Sequence, residues 1–566
     1  MRRRILRPEG RRRSGEVAGR SRKPVIVGTP MLGFKGRSPG QFNSQGAKWL
    51  PRNGEQRYWD PYNLPLRTEE RYEFALGEIA RATTKKDKSA QAKHYGVKSP
   101  PVLRRVGSLE RARSHPYELL HLFFENVVPN LYKFWADEFP VPGGYGEYII
   151  PKEVWDEIWK EITAAMKLIP SAFTRSLAGG PSRFTAESWY FWFVYLVPGV
   201  LRGRFPQEEY YTHACEFGSI IKLCLQFHIS ELELQLLERK MVEWVLEYER
   251  LYYRSEPQRL SACRLTIHGL LHVAKNIRDC GPGWTSWTFF MERFCGFLIH
   301  GLHSRKRPFA NLTRRLIHFM YLEQVSLRWD LVEELAIFKP PVKAISSSEK
   351  KFPGYTSIVV GTPRQSEHSP EDTQKLKIAK YLHDRLDVAG ASVAKIVRVL
   401  PEHMPRWARM RIVDGDHIRA AWKRPRNAEE LRDNTFVRFT KQTPRIQGNT
   451  RLFRSKLAYG RLEELLECPL PRKTWLGQYS GKTLLFAVVT PCAGSHRDAR
   501  ESVVGYRSMD APVVVDVRSI EAVVGRLPVG ERWILIDRAA RTFKPEFVPA
   551  AVEVGVEEDE LMDLYT

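Results

Sequence analysis

The chain has 566 residues, too many for one compact core, so two or three domains are expected. Hydrophobic residues make up 43% and Trp, Tyr and Phe are plentiful, which excludes a wholly disordered polypeptide. Subtracting 65 Asp and Glu from 89 Lys and Arg leaves a net charge of +24, which suits an anionic polymer or surface without choosing between DNA, RNA and acidic membrane.

Residues 1–57 are rich in Arg, Gly, Ser and Pro, with clusters at Arg2-Arg3-Arg4, Arg11-Arg12-Arg13 and Arg20-Ser21-Arg22-Lys23. So few apolar residues predict disorder, either as a nucleic-acid or nuclear-localisation arm or as leader sequence without a role. No apolar stretch follows the arginines, so a secretory signal is not expected. Seven cysteines without regular spacing make no disulfide framework and point to a reducing compartment.

From 58 to 335 the reading is helical. Pro151 opens a helix whose Trp155, Ile158, Trp159 and Ile162 share a face. The aromatic run Trp189–Leu201 contains Pro198 and is shorter than the roughly 20 apolar residues a membrane span needs. Ser230 and Glu233 form a capping-box pattern ahead of a stripe, Leu234, Leu237, Met241, Trp244, Val245 and Tyr248, that reads as packing surface. A linker is expected at 336–374, where Lys339-Pro340-Pro341 and Ser346-Ser347-Ser348 break the pattern. A basic helical segment follows at 375–425, then a small β domain at 426–545 built from runs such as Thr435–Phe439, Leu484–Val489, Val513–Val517 and Trp533–Asp537. An acidic tail occupies 546–566. The expected fold class is therefore mainly α with a smaller C-terminal β domain, α+β.

Several residues invite a chemical reading. His268 and His272 stand four apart, as zinc ligands on a helix do, with Cys263, Cys280 and Cys295 nearby. No Cys-x-x-Cys pair accompanies them, and buried, hydrogen-bonded histidines are the expectation. The cluster Arg305-Lys306-Arg307 with Arg314-Arg315 suits phosphate contact, against the plainer reading of a solvated helix end. Gly143-Gly144-Tyr145-Gly146 has the glycine density of a phosphate loop but lacks its Lys-Ser/Thr and preceding strand, so it reads as a turn.

Three ordered stretches carry a likeness to a known family. They are Trp59-Asp60-Pro61-Tyr62-Asn63-Leu64-Pro65-Leu66-Arg67-Thr68, Pro116–Leu131 with Glu118 and His121, and Ile267 through His268, His272, Gly281-Pro282, Trp284 and Trp287 to Met291-Glu292-Arg293-Phe294-Cys295-Gly296. In this order they resemble transposases of CACTA (En/Spm-like) elements, fungal type, C-terminal portion; Phe436–Phe439 and Trp533–Arg538 resemble the extension of the fungal proteins. The resemblance implies a remnant of an RNase H-like catalytic domain with a helical insertion. It implies three acidic residues holding two divalent ions about 4 Å apart, with Mg²⁺ or Mn²⁺ as the hard cations suited to oxygen ligands.

On that pattern Glu292 takes the place of the third acid. Glu118 takes the second, where the family has Asp three residues before a His; the longer side chain displaces the carboxylate by about 1.5 Å. Its plain reading is a charge at a helix start. The first acid, beside a cysteine-rich cluster, belongs upstream of Asp60, in a stretch that here holds no cysteine. The expectation is a truncated, catalytically inactive transposase fragment that retains DNA binding, to transposon ends or non-specifically. It would be nuclear, with a homo-oligomeric or intact-transposase partner, no membrane, and Mg²⁺ or Mn²⁺ as cofactor only if activity persists. The alternative is a host-adopted, non-catalytic nucleic-acid-binding or scaffold protein of transposon origin.

Overall fold

A computed structural model describes residues 60–64, 68–97, 106–110, 113–141, 147–288, 294–295, 298–299, 302, 306–335, 345–386, 391–412, 416–423, 432–447 and 450–538. The readings made for 1–57, Gly143–Gly146 and 546–566 lie outside these residues. The chain divides into two compact units, the smaller around 68–116 and the larger containing 117–538. In the smaller unit, α1 (Glu69–Arg81) and α2 (Lys85–Tyr95) are each started by a threonine cap, Thr68 and Thr84, and enclose Ala75, Leu76, Ile79 and Val97.

The larger unit is α+β: a helical layer, then an antiparallel sheet. The layer begins with α3 (Leu119–Leu122), which passes through a π-helical turn at Phe123–Val127 into α4 (Val128–Trp135). The same device recurs where α6 (Ala186–Phe191, after α5, Lys152–Ala165) passes through a π turn at Trp192–Leu196 into α7 (Val197–Val200). In each case a proline, Pro129 or Pro198, sits at the start of the following segment, where its missing N–H removes a helical hydrogen bond and loosens the winding. Then come α8 (Glu208–Cys224), α9 (Glu231–Tyr248), α10 (Leu265–Leu270) and α11 (Val273–Cys280). Ser230 and Glu233 close the capping box at α9, and the stripe from Leu234 to Tyr248 is buried. Aromatic rings fill the layer, and two of their indoles are anchored by hydrogen bonds: Trp135 Nε1 donates to the Tyr252 hydroxyl at 2.9 Å and Trp244 Nε1 to the His213 carbonyl at 2.9 Å. Two further helices, α12 (Pro308–Arg328) and α13 (Val332–Leu335), end this half.

The sheet starts earlier than the sequence suggested. Residues 345–365, read as linker, contain β1 (Glu349–Lys351) and β2 (Ile358–Gln365). The basic segment 375–425 holds α14 (Asp372–Arg385) and α15 (Val393–Val397) but then turns into β3 (Arg406–Ile412) and β4 (His417–Arg419). The arginines that masked β3 are paired across strands: Arg411 makes two bonds to Glu349, at 3.0 and 2.9 Å, and Arg406 meets Glu464. The remaining strands of the large sheet are β5 (Phe436–Gln447), β6 (Thr450–Pro469), β7 (Thr483–Pro491), β9 (Val513–Asp516) and β10 (Ile520–Val523). A second sheet joins β8 (Val504–Tyr506), β11 (Gly525–Val529) and β12 (Arg532–Ile536).

Rather than a separate small β domain, the sheet shares one apolar core with the helical layer. Val437, Phe439, Leu462, Leu465, Leu485, Ala487 and Val489 face the same cluster as Trp135, Trp192 and Phe217, while Leu466, Cys468, Phe486 and Val488 on the opposite face are covered by Ile378, Leu382 and Ile396 of α14 and α15. Where β6 and β7 cross these two clusters they are therefore apolar on both faces, which erased the alternation a half-exposed sheet would show. Two glycines mark close approach. A Cβ at Gly199 would lie 2.6 Å from Leu527 Cδ2, and one at Gly460, where β5, β6 and β7 meet, 2.6 Å from the Thr490 carbonyl oxygen. Side-chain tips can yield and a strand backbone cannot. Gly460→Ala is therefore expected to cost about 1–3 kcal/mol and Gly199→Ala less, measured as a larger fall in urea midpoint for the first.

Candidate functional site

Glu118 is the N-cap of α3. Its Oε2 accepts the His121 backbone N–H at 2.8 Å and lies 2.5 Å from His121 Nδ1, so the imidazole donates from that nitrogen. Its Oε1 faces the Thr288 N–H at 3.4 Å. The other imidazole nitrogen, Nε2, stands 3.8 Å from Glu125 one turn on. Glu118 thus has both oxygens engaged in holding the start of α3, the imidazole and Thr288. Glu292 lies outside the described residues.

A histidine pair, His268 and His272, is tied to this turn through Tyr117. His268 on α10 and His272, the cap of α11, approach Nε2 to Nε2 at 3.3 Å, and Tyr117 stacks over His272 with ring centroids 6.4 Å apart. Asn276 Oδ1 accepts the Tyr117 N–H at 3.2 Å, tying α11 to the residue before Glu118. Burial lowers His268 to about 3, helped by a charge on His272, and lowers His272 to about 4, helped by Lys275. Both rings are neutral near pH 7, so one donates to the other. A third buried histidine, His213, stacks on Trp244 at 4.3 Å, bonds the Trp244 carbonyl at 3.2 Å and is lowered to about 4 by burial.

Among the described residues no group of three or more His, Cys, Asp or Glu is placed to hold a metal ion. The donors do not fit Mg²⁺ or Mn²⁺, which want several oxygens: Glu118 is one carboxylate, already capping a helix, with nitrogens as its nearest partners.

The basic cluster is at the N-terminus of α12. Lys306 and Arg307 are exposed before the helix, Arg307 as its cap; Arg314 is exposed on its second turn, and the half-buried Arg315 guanidinium lies 5.5 Å from the Phe319 ring centre. Arg305 lies outside the described residues. No acidic residue occupies the first turn, so these cations stand at the positive end of the helix dipole. The same helix exposes Phe309 (83%), Met320 (56%) and Leu327 (71%), at i, i+11 and i+18, on one face.

One basic surface was not singled out from the sequence. From Asn434 to Leu462 there are seven Lys and Arg and no Asp or Glu, and β5 pairs β6 throughout, Phe436↔Arg461 to Gln447↔Thr450. The signal that marks it is the Gly448-Asn449 dipeptide between two acid-free runs.

Comparison with protein-family models, with curated proteins and with solved structures gives no match.

The three lowered histidines predict the acid side of the stability profile. Each is neutral in the fold and takes a proton when unfolded below about pH 6.5, so stability is present above that pH and is lost as pH falls toward 4. The limiting slope is about 1.4 kcal/mol per histidine per pH unit. His213→Phe is expected to reduce the slope of unfolding free energy between pH 6 and 5, read by urea titration, relative to the unaltered chain.

Proposed function

We propose that this is a nuclear DNA-binding protein of CACTA-transposase descent in which the acidic site no longer performs strand cleavage. The single observation that carries the non-catalytic half is the engagement of Glu118: one oxygen caps α3 and meets the His121 imidazole, the other faces Thr288. A two-metal site needs carboxylate oxygens free to bridge cations, and a cap that releases its helix start gives up about 1 kcal/mol. In this reading the helical layer descends from the insertion and final portion of an RNase H-like catalytic domain. Lys306, Arg307, Arg314 and Arg315 contact phosphates, joined by Arg305 beside them in sequence, and Glu292 keeps the sequence position of the third acid. Transposon ends, or DNA without sequence preference, are the substrate class.

The DNA half is tested by affinity against salt. Each neutralised phosphate contributes about −0.9 to the slope of log K on log salt. Replacing Lys306, Arg307, Arg314 and Arg315 together by Gln is expected to make that slope shallower by about 3.6. Binding that is insensitive to salt would overturn this half. For the other half, supercoiled plasmid with Mg²⁺ or Mn²⁺ is expected to show no nicking beyond that of Glu292→Gln; cleavage abolished by Glu292→Gln overturns it.

A scaffold reading is favoured by the apolar face of α12. Phe309, Met320 and Leu327 are too exposed and too regularly spaced to serve this chain's own core. If that face joins copies of the chain, sedimentation will report an oligomer that Phe309→Ser with Leu327→Ser converts to monomer. A monomer at every concentration in the unaltered chain leaves DNA binding as the reading.

A further inference from the structure

The hairpin of β5 and β6 outgrows the sheet that anchors it. On β5 the third strand, β10, pairs no further than Phe439, and on β6 the neighbour β7 pairs no earlier than Gly460. Beyond those points the register Thr440↔Leu457 to Gln447↔Thr450 continues as a two-stranded ribbon, eight pairs or roughly 24 Å long at about 3.4 Å per residue. Isolated two-stranded ribbons are marginal in water, so this one needs support, and among the described residues α14 gives it on one face. The Arg385 guanidinium bonds Gln442 Oε1 at 2.6 Å and lies 3.7 Å from the Tyr381 ring centre and 4.7 Å from that of Phe453.

The other face carries the cations. Directly paired residues share a face, and the face of Lys441 includes its partner Lys456, then Arg454 opposite Thr443, then the register position of Arg445 opposite Leu452. Lys456 and Arg454 are exposed and Lys441 is half-buried. No ion pair joins either lysine to a carboxylate among the described residues. Like charges set directly across a strand pair destabilise it; they are tolerated where an anion is brought between them. Acid is not lacking nearby, but Glu521 turns to the supported face, where it takes Arg438 and Thr440.

We propose that the unsupported face of the β5–β6 ribbon is a binding surface for duplex DNA, laid in the major groove with Lys441, Arg454 and Lys456 against phosphates of its walls. A major groove about 12 Å wide admits a two-stranded ribbon. The cations recur every second residue, about 6.8 Å apart along a strand, so they track a phosphate backbone rather than one isolated anion. This inference rests on the reading of the chain as a DNA-binding protein and assigns a contact surface distinct from α12.

The test uses the full chain and fluorescence anisotropy with a labelled 30-base-pair duplex across a salt series. Lys441→Gln, Arg454→Gln and Lys456→Gln are combined in one variant; Lys85→Gln, Lys86→Gln and Lys88→Gln on exposed α2 remove the same net charge as a control. The ribbon variant is expected to lose at least tenfold in affinity at 0.15 M salt and to flatten the log–log slope by about 2 to 3, with a thermal midpoint unchanged or raised. The control keeps both affinity and slope. Equal losses in the two variants, an unchanged ribbon variant, or a loss confined to a single-stranded probe overturns the duplex surface while leaving DNA binding by the chain intact. No duplex binding by the unaltered chain overturns the DNA reading itself.

Discussion

Strand β6 is the constraint on which the larger unit depends. It is long enough to pair with β5 along its first half, with β7 along its second, and with β3 at Leu465 and Leu466. Each face of that strand is claimed by a different helical layer, so a slip of one residue would exchange Leu462 and Leu465 with Leu466 and Cys468 and unpack both. A register shift between Leu462 and Glu464 adjusts the alternation once. After it, Leu465 meets the helical layer, while Glu464 turns to α14, where it takes Gln374 at 2.8 Å and Arg406.

The same strand organises charge. Glu467 receives Trp407 Nε1 at 3.0 Å and Arg364 at 3.2 Å, and Arg438 of β5, buried opposite Tyr459, bonds Asp537 at 2.7 Å and Glu521 at 3.0 Å. Buried arginines of this kind are tolerated only with partners, since a lone buried charge is costly. The carboxylates of the sheet are spent on these pairs. A net charge of +24 is a property of composition. The distal ribbon has no Asp or Glu in its own sequence, so its cations add to the positive charge of that part of the sheet.

The legibility of the chain follows the range of its contacts. The capping box at Ser230 and Glu233 and the α9 stripe are local, spanning one to five turns, and are fully written in the sequence. So is the helix face of Trp155, Ile158 and Ile162, all buried. The α+β class was legible for the same reason. Strands β2 and β3 were not: Glu349 and Arg411 are 62 residues apart, and Arg364 and Glu467 are 103. Read alone, Arg406, Arg409 and Arg411 look like a solvated helix; read with their partners, they are the polar positions of a strand covered on both sides. The ribbon was hidden by its lack of alternation, which is what a strand pair away from any core has no reason to keep.

At the candidate site the local reading of Glu118 as a helix-start charge describes what its oxygens touch. An ionised carboxylate offers about four lone-pair positions, and here the His121 N–H, its Nδ1 and the Thr288 N–H occupy three. An aspartate at this position would reach about 1.5 Å less far. Aspartate is itself a strong helix cap, so the longer side chain is not needed to start α3. What glutamate adds is reach, and that reach places Oε1 at Thr288, 170 residues along the chain. Glutamate at this position therefore serves as a tether between the start of α3 and Thr288, holding the two together by hydrogen bonds.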